Sequence, residues 1–290
     1  MFMKIIVLAK QVPDTRNVGK DAMRADGTVN RAALPAIFNP EDLNALEQAL
    51  RIKDQFPETT ISVLTMGPFR AADVLREALY RGADRGYLLT DRAFAGADTL
   101  ATSYALAMAI RHIGMPDLIL SGRQAIDGDT AQVGPQVAHK LRITTITYAE
   151  EIVSIDKNEI TVRRRLEHGV EKVKATLPLL VTVNGSSAPC RPRNAKLLQR
   201  YKYALSASEI AAAPEINQKL YNERPFLQLV ELSASEVGAD LEQCGLAGSP
   251  TKVKTIENVV FQAKEARRYD SSDAQINDLV AELIANHTIG

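Results

Sequence analysis

Asp117–Leu141 reads DLILSGRQAIDGDTAQVGPQVAHKL, and its passage from apolar to polar to amphipathic decides the fold. Asp117–Ser121 (DLILS) is a short apolar run, the mark of a strand buried on both faces. A polar loop opens at Gly122, and Thr130–Leu141 has the pattern of a helix starting near Asp129 or Thr130, with Asp129 as its N-cap. Strand, glycine loop and helix start together meet three needs of phosphate binding. Gly122 and Gly128 let the backbone turn tightly and approach a ligand. The helix start offers unpaired N–H groups at a positive dipole end. Thr130, Ala131 and Gln132 are small or neutral, so an anion can reach those donors. Arg123 adds charge or stacks beside a ring. Asp127 and Asp129 suit ribose hydroxyls or capping, and must point away from any phosphate. The loop is neither a G-x-G-x-x-G pattern nor a Walker loop, and the same supersecondary unit also occurs without a ligand.

Upstream, the rhythm repeats. Lys4–Ala9 reads as a first buried strand, and Pro40–Lys53 as a helix with Leu43, Leu46 and Leu50 on one stripe. Asn39 suits the cap of that helix, Pro40 its first position, and Glu41 and Asp42 its positive end. Thr60–Met66 predicts a second strand, followed by a helix carrying Val74, Leu75, Ala78 and Leu79. Gly86–Thr90 predicts a third strand and Ala97–Ile113 an alanine-rich helix. This alternation implies an α/β, doubly wound, mainly parallel sheet whose ligands sit at the carboxyl ends of the strands.

Downstream the period becomes two. Thr144–Ile155 and Glu159–Arg165 read as antiparallel strands around an Asp156-Lys157-Asn158 turn, with a second turn at Glu167-His168-Gly169. Val170–Val183 brings the chain back, broken at Pro178. From about Pro225 the rhythm is lost, which divides the chain into a domain over residues 1–224 and a C-terminal arm over 225–290 with a terminal helix near Asp273–Asn286.

Composition narrows the function. Lys+Arg and Asp+Glu are both 35, a net charge of zero, which argues against general affinity for nucleic acid. Cys190 and Cys244 lack metal or redox spacing, which fits a reduced, cytoplasmic compartment. The start, MFMKIIVLAK, reads as a strand rather than a leader peptide. The apolar run Tyr104–Ile110 is too short to cross a bilayer, so no membrane insertion is expected. His112, His139, His168 and His287 are scattered, no acid–base or nucleophilic constellation stands out, and a nucleotide hydrolase or ligase has no Walker lysine or histidine cluster to work with.

Four strings taken together resemble the beta subunit of electron-transfer flavoproteins: Lys10-Gln11-Val12-Pro13-Asp14-Thr15, Asn39-Pro40-Glu41-Asp42, the glycine loop Ser121–Pro135, and Gly248-Ser249-Pro250-Thr251 with Lys252. The resemblance implies a Rossmann-like, adenine-nucleotide-binding fold with an antiparallel hairpin extension, and a nucleotide site built from Ala9, Asn39–Asp42, Met66 and the loop. Gln124, Ala125, Ile126 and Val133 enter the site with the loop residues already named. It implies either a structural AMP or, in electron-bifurcating members, an FAD that accepts hydride from NADH. The small residues and glycine of Asp127–Pro135 favour FAD, with AMP the alternative. A second FAD belongs to the partner alpha subunit, which the arm would wrap by burying Leu227, Leu229, Val230 and Leu232. A basic segment with a dileucine (Arg191, Arg193, Lys196, Leu197, Leu198) would dock an acyl-CoA dehydrogenase-type enzyme, or equally be a solvated amphipathic helix. The stretch beyond residue 255 has no assigned role.

Overall fold

The computed structural model describes residues 2–14, 35–212, 215–251, 266–286 and 288–289. Thr15 and Lys252 of the motifs lie outside the described residues.

A ten-stranded sheet forms around β1 (Lys4–Leu8), β4 (Thr60–Met66), β5 (Arg85–Leu89), β6 (Leu118–Gly122) and β10 (Leu179–Val183). These strands pair in parallel in the order β5-β4-β1-β6-β10. They are apolar on both faces, as strands covered on both sides must be; every residue of β6 and β10 is buried. Two further strands, β2 (Gln11–Pro13) and β3 (Ala36–Phe38), make a separate antiparallel pair.

The helices divide between the two faces. α1 (Pro40–Gln55) and α2 (Ala72–Arg81) pack Leu46, Leu50, Leu75 and Leu79 against Ile5, Val7, Ile61 and Leu118. α3 (Thr99–Ile113) and α4 (Val133–Leu141) pack Leu106, Ile110 and Val137 against Ile6, Leu8, Leu64 and Ile119. From β1 the chain moves outward through β4 and β5, then returns to the other side of β1 as β6. The order therefore reverses between β1 and β6, and their carboxyl ends form the crevice where such sheets hold ligands.

The hairpin extension is as expected. β7 (Thr144–Ile155), β8 (Glu159–Leu166) and β9 (Gly169–Thr176) are antiparallel. At the first turn the Asp156 carboxylate accepts from the N–H groups of Asn158 and Glu159, each at 2.9 Å. After Pro178 the chain does more than return. β10 inserts between β6 and β7 and runs parallel to both, because LLVTV has no polar face to leave on an edge.

Three expectations are corrected. α4 begins at Val133 rather than Thr130, and Asp129 does not cap it. Asp129 and Ala131 have φ of 49° and 52°, so the chain cannot be right-handed helix until past Ala131. Asn39 occupies the N-cap position of α1, yet its side chain makes no capping bond and is used elsewhere. The rhythm continues beyond Pro225: β12 (Gln228–Leu232) lies parallel to β5, flanked by the two-residue β11 (Leu205–Ser206). Leu227, Leu229 and Leu232 are buried within this chain, and only Val230 of the four faces solvent. The remaining helices are α5 (Ala195–Tyr201), α6 (Ala207–Ala211), α7 (Glu215–Glu223) and α8 (Asp273–Ala285).

The placement of β12 predicts that Leu229→Ala lowers unfolding stability by about 2–4 kcal/mol through lost burial and a cavity. The exposed Val230→Ala should cost below about 1 kcal/mol. Urea unfolding of the two variants checks this, and equal small effects would contradict a strand buried in the sheet.

Candidate functional site

Parallel strands end with N–H groups beyond their last ladder bonds. At the switch point two of these go to one carboxylate. Asp42 accepts from Lys10 N at the end of β1 and from Gly122 N at the end of β6, both at 2.9 Å. Burial pushes the Asp42 carboxyl up from 3.8 to about 7, against the opposing pull of hydrogen bonds from Asn39, Gly122 and Lys10. The approach is close enough to dictate the residue at 122. A Cβ there would lie 2.4 Å from Asp42 Oδ1 and 2.8 Å from Asp42 N, so only glycine fits.

The rest of Asn39–Asp42 holds the loop. Asn39 is fully buried; its Nδ2 donates to Gln124 O at 2.9 Å and its Oδ1 accepts from Ile126 N at 3.2 Å. Glu41 accepts from Gln124 N at 2.9 Å and pairs with Arg123 at 3.4 Å. Pro40 opens the helix, where its missing N–H costs nothing. A buried polar group must find partners, and these side chains find theirs in the backbone of one loop.

Both acids of the loop are occupied. Lys10 Nζ bonds both oxygens of Asp127 at 2.7 Å, and Gln124 Nε2 donates to Asp129 Oδ1 at 2.8 Å. Asp127, Gly128, Asp129, Thr130 and Gln132 are exposed, whereas Ala125, Ala131 and Val133 are half-buried. Ala131 is left-handed and Gln132 right-handed, immediately ahead of α4. Consecutive residues of opposite hand form a concavity of N–H groups that receives anions, and the first amides of a helix add to it. Thr99 Oγ1 at the start of α3 donates to Gln132 Oε1 at 2.8 Å. Gly134 lets α4 press onto the sheet, since a Cβ there would lie 2.9 Å from Ser121 Oγ and from Thr182 Cγ2.

Ala9 is buried at the end of β1, its N–H bonded to Leu64 O, and Met66 is half-buried at the end of the neighbouring β4. The structure thus brings the expected nucleotide residues to one edge of the sheet. Two residues that local pattern does not assign stand beside the loop: Lys10, the partner of Asp127, opens the Lys10–Thr15 string, while Tyr148, whose ring lies over Arg123, carries no local signal in the sequence.

The basic segment forms a separate cluster against α1 and α2. Arg191 bonds Glu47 at 3.0 Å and Asp54 at 2.7 Å, and Arg193 pairs with Glu77 at 2.7 Å. Burial alone would raise the Glu47 carboxyl, but Arg191 and Arg51 hold it below the usual carboxylate range. Leu197 packs on the core, whereas Lys196 and Leu198 are exposed.

Residues 26–207 match the family model of the electron transfer flavoprotein domain. The chain is 45% identical over 251 residues to the caffeyl-CoA reductase-Etf complex subunit CarD of Acetobacterium woodii, covering 87% of this chain and 86% of that protein. It is 40% identical over 300 residues to the electron transfer flavoprotein subunit beta of Megasphaera elsdenii, covering 99% and 100%. It is 41% identical over 292 residues to the protein FixA of Sinorhizobium fredii, covering 98% and 93%. A mostly parallel α/β fold with its clamped loop at the switch point is the class this site defines. Within that class, the chain belongs to the electron transfer flavoprotein family, as a beta subunit, and its function is electron transfer. Among the described residues no helix is long and apolar enough to cross a membrane.

The buried acid predicts a pH effect. A carboxyl raised from 3.8 to about 7 on folding stabilises the fold most below pH 4, and that contribution is lost as pH rises to about 7. The loss is on the order of 4 kcal/mol. Asp42→Asn removes the titration and turns one N–H donor against another, which costs about 1–3 kcal/mol. Its stability should stay flat over the interval in which the wild type declines. Chemical unfolding of both proteins from pH 4 to pH 8 measures this, and parallel profiles would refute it.

Proposed function

We propose that this beta subunit holds FAD at the switch-point crevice and passes electrons between NADH, flavins and an acyl-CoA dehydrogenase-type partner, by flavin-based bifurcation in a heterodimer with an alpha subunit carrying a second FAD. The observation that carries this reading is the loop Gly122–Val133, clamped by Asn39, Glu41 and Asp42, with its acids turned to Lys10 and Gln124.

Space and charge there fit a dinucleotide. Among the described residues no heavy atom lies within 4 Å of where a Gly128 Cβ would sit, so the loop tip has room. Among the described residues Arg123 Nε is buried with no partner, the kind of unmet polar atom that a ligand satisfies. In this reading the Ala131–Gln132 concavity and the first amides of α4 take the phosphates, Arg123 balances their charge, and Ala9, Pro40 and Met66 line the adenosine side. Lys10 keeps Asp127 from facing the phosphates. When bound, FAD supplies hydride acceptance and single-electron transfer, and the protein positions and tunes it.

The partners follow from weaker signs. The 45%-identical relative is named as a subunit of a reductase–Etf complex, which supports a CoA-ester enzyme as the electron partner. Docking would use Lys196 and Leu198, set in place by Arg191, Arg193 and Leu197. In the arm, α8 leaves Ile276, Val280 and Ile284 exposed, which suits a segment that covers the alpha subunit. Cys190 and Cys244 are free thiols, in keeping with a cytoplasmic setting.

The visible spectrum of the purified two-subunit complex tests the cofactor. Two flavins per heterodimer are expected; one flavin with AMP released on denaturation would establish the alternative. Gly128 tolerates a side chain structurally, so Gly128→Trp should leave the melting temperature within a few degrees. It should empty this subunit of nucleotide while sparing the alpha-subunit flavin. Undiminished nucleotide in the variant would move the site elsewhere.

A further inference from the structure

β7 does not run straight past the crevice. Its pairing with β10 goes from Ile146 opposite Val181 to Ala149 opposite Val183, so Thr147 and Tyr148 together face Thr182, a bulge of one extra residue. Tyr148 has φ of 61°, a true outlier for a bulky aromatic residue. Its N–H, displaced from the regular ladder, is directed to Thr182 Oγ1 at 3.3 Å. Bulges beside binding sites re-aim a side chain, and strained residues persist where the surroundings enforce them.

The re-aimed ring lies over Arg123, its centroid 5.8 Å from the guanidinium carbon, while 37% of the residue stays exposed. The ring thus contacts a half-buried cation. Glu41 Oε1 also approaches Arg123 Nη2 at 3.4 Å, and the other oxygen of Glu41 is held by Gln124 N. The guanidinium therefore has both an aromatic ring and a tethered carboxylate as neighbours. Its buried Nε has no acceptor among the described residues. A planar fork fixed in advance loses less freedom when it meets an anion than a free side chain does.

We infer that Tyr148 is a positioning residue for the nucleotide site: it holds Arg123 so that the guanidinium meets the phosphate end of the adenine nucleotide. This rests on the reading that loop Gly122–Val133 binds that nucleotide, and it holds whether the ligand is FAD or AMP.

The test compares Tyr148→Phe and Tyr148→Gly in the two-subunit complex. It follows dissociation of the beta-subunit nucleotide by dialysis with assay of adenine nucleotide, alongside the melting temperature. Glycine adopts positive φ freely, which offsets the lost packing of the ring. Tyr148→Gly, melted after the beta-subunit nucleotide has been removed from both proteins, should therefore stay within a few degrees of the wild type, yet release nucleotide about tenfold faster. Tyr148→Phe keeps the ring and should match the wild type in both. Adding Arg123→Gln to Tyr148→Gly should speed release little further, because the two residues act as a unit. A merely structural residue would lower the melting of the nucleotide-free complex along with retention, and that result overturns the inference. So does a Tyr148→Gly complex that retains nucleotide like the wild type, or one that loses only its alpha subunit. A wild-type complex with no nucleotide in this subunit would bring down the binding reading itself, and this inference with it. A wild type that holds nucleotide beside a Tyr148→Gly variant that holds it equally sinks this inference alone.

Discussion

One buried carboxylate joins the two halves of this sheet where the winding reverses. Asp42 takes the N–H of Lys10 from one strand end and that of Gly122 from the other, and it stands on the first turn of the helix that leaves the crevice. Without it the buried N–H of Gly122 would lack an acceptor, at a cost of about 1–3 kcal/mol, and the part-buried N–H of Lys10 would lose its own. The same contact brings α1 so close to β6 that residue 122 must lack a Cβ. From that fixed point the loop departs with a defined direction.

α1 extends this role along its length. Four of its polar residues, Asp42, Asn44, Glu47 and Gln48, are buried rather than solvated. Asn44 donates to Ser187 O and Ala188 O, and Gln48 bonds Ser187 Oγ and accepts from Ile152 N. Glu47 holds Arg191 through its backbone N–H and its side chain. The helix therefore braces the glycine loop at its first turn and the segment after β10 further along. A displacement at either end is opposed by several buried hydrogen bonds, which keeps the geometry at the crevice from relaxing.

The loop itself is held under strain. Asp129 and Ala131 are left-handed without being glycine, at roughly 1–2 kcal/mol each. That conformation delays α4 until Val133 and gathers main-chain donors ahead of it. Electron transfer asks little acid–base chemistry of a protein and much positional constancy, since a redox cofactor does the chemistry wherever it is held. A rigid loop on a braced helix answers that demand.

The parts of the fold written in local pattern were legible from sequence. Runs apolar on both faces announced β1, β4 and β6, and alternation announced β7 and β8. The Asp156–Asn158 turn and the glycine loop at Gly122 carried their own chemistry. What the tertiary structure decided was which distant groups meet. Residue pattern showed LLVTV to be buried but not that β10 would slip between β6 and β7, and it missed β12 beside β5, because strand order depends on neighbours far along the chain. Asn39 looked like a helix cap, the choice its local sequence favours, until Gln124 and Ile126, more than eighty residues away, offered its side chain better-placed partners. Local sequence sets what each segment must hide; only the assembled sheet sets which donor, acceptor or ring lies opposite.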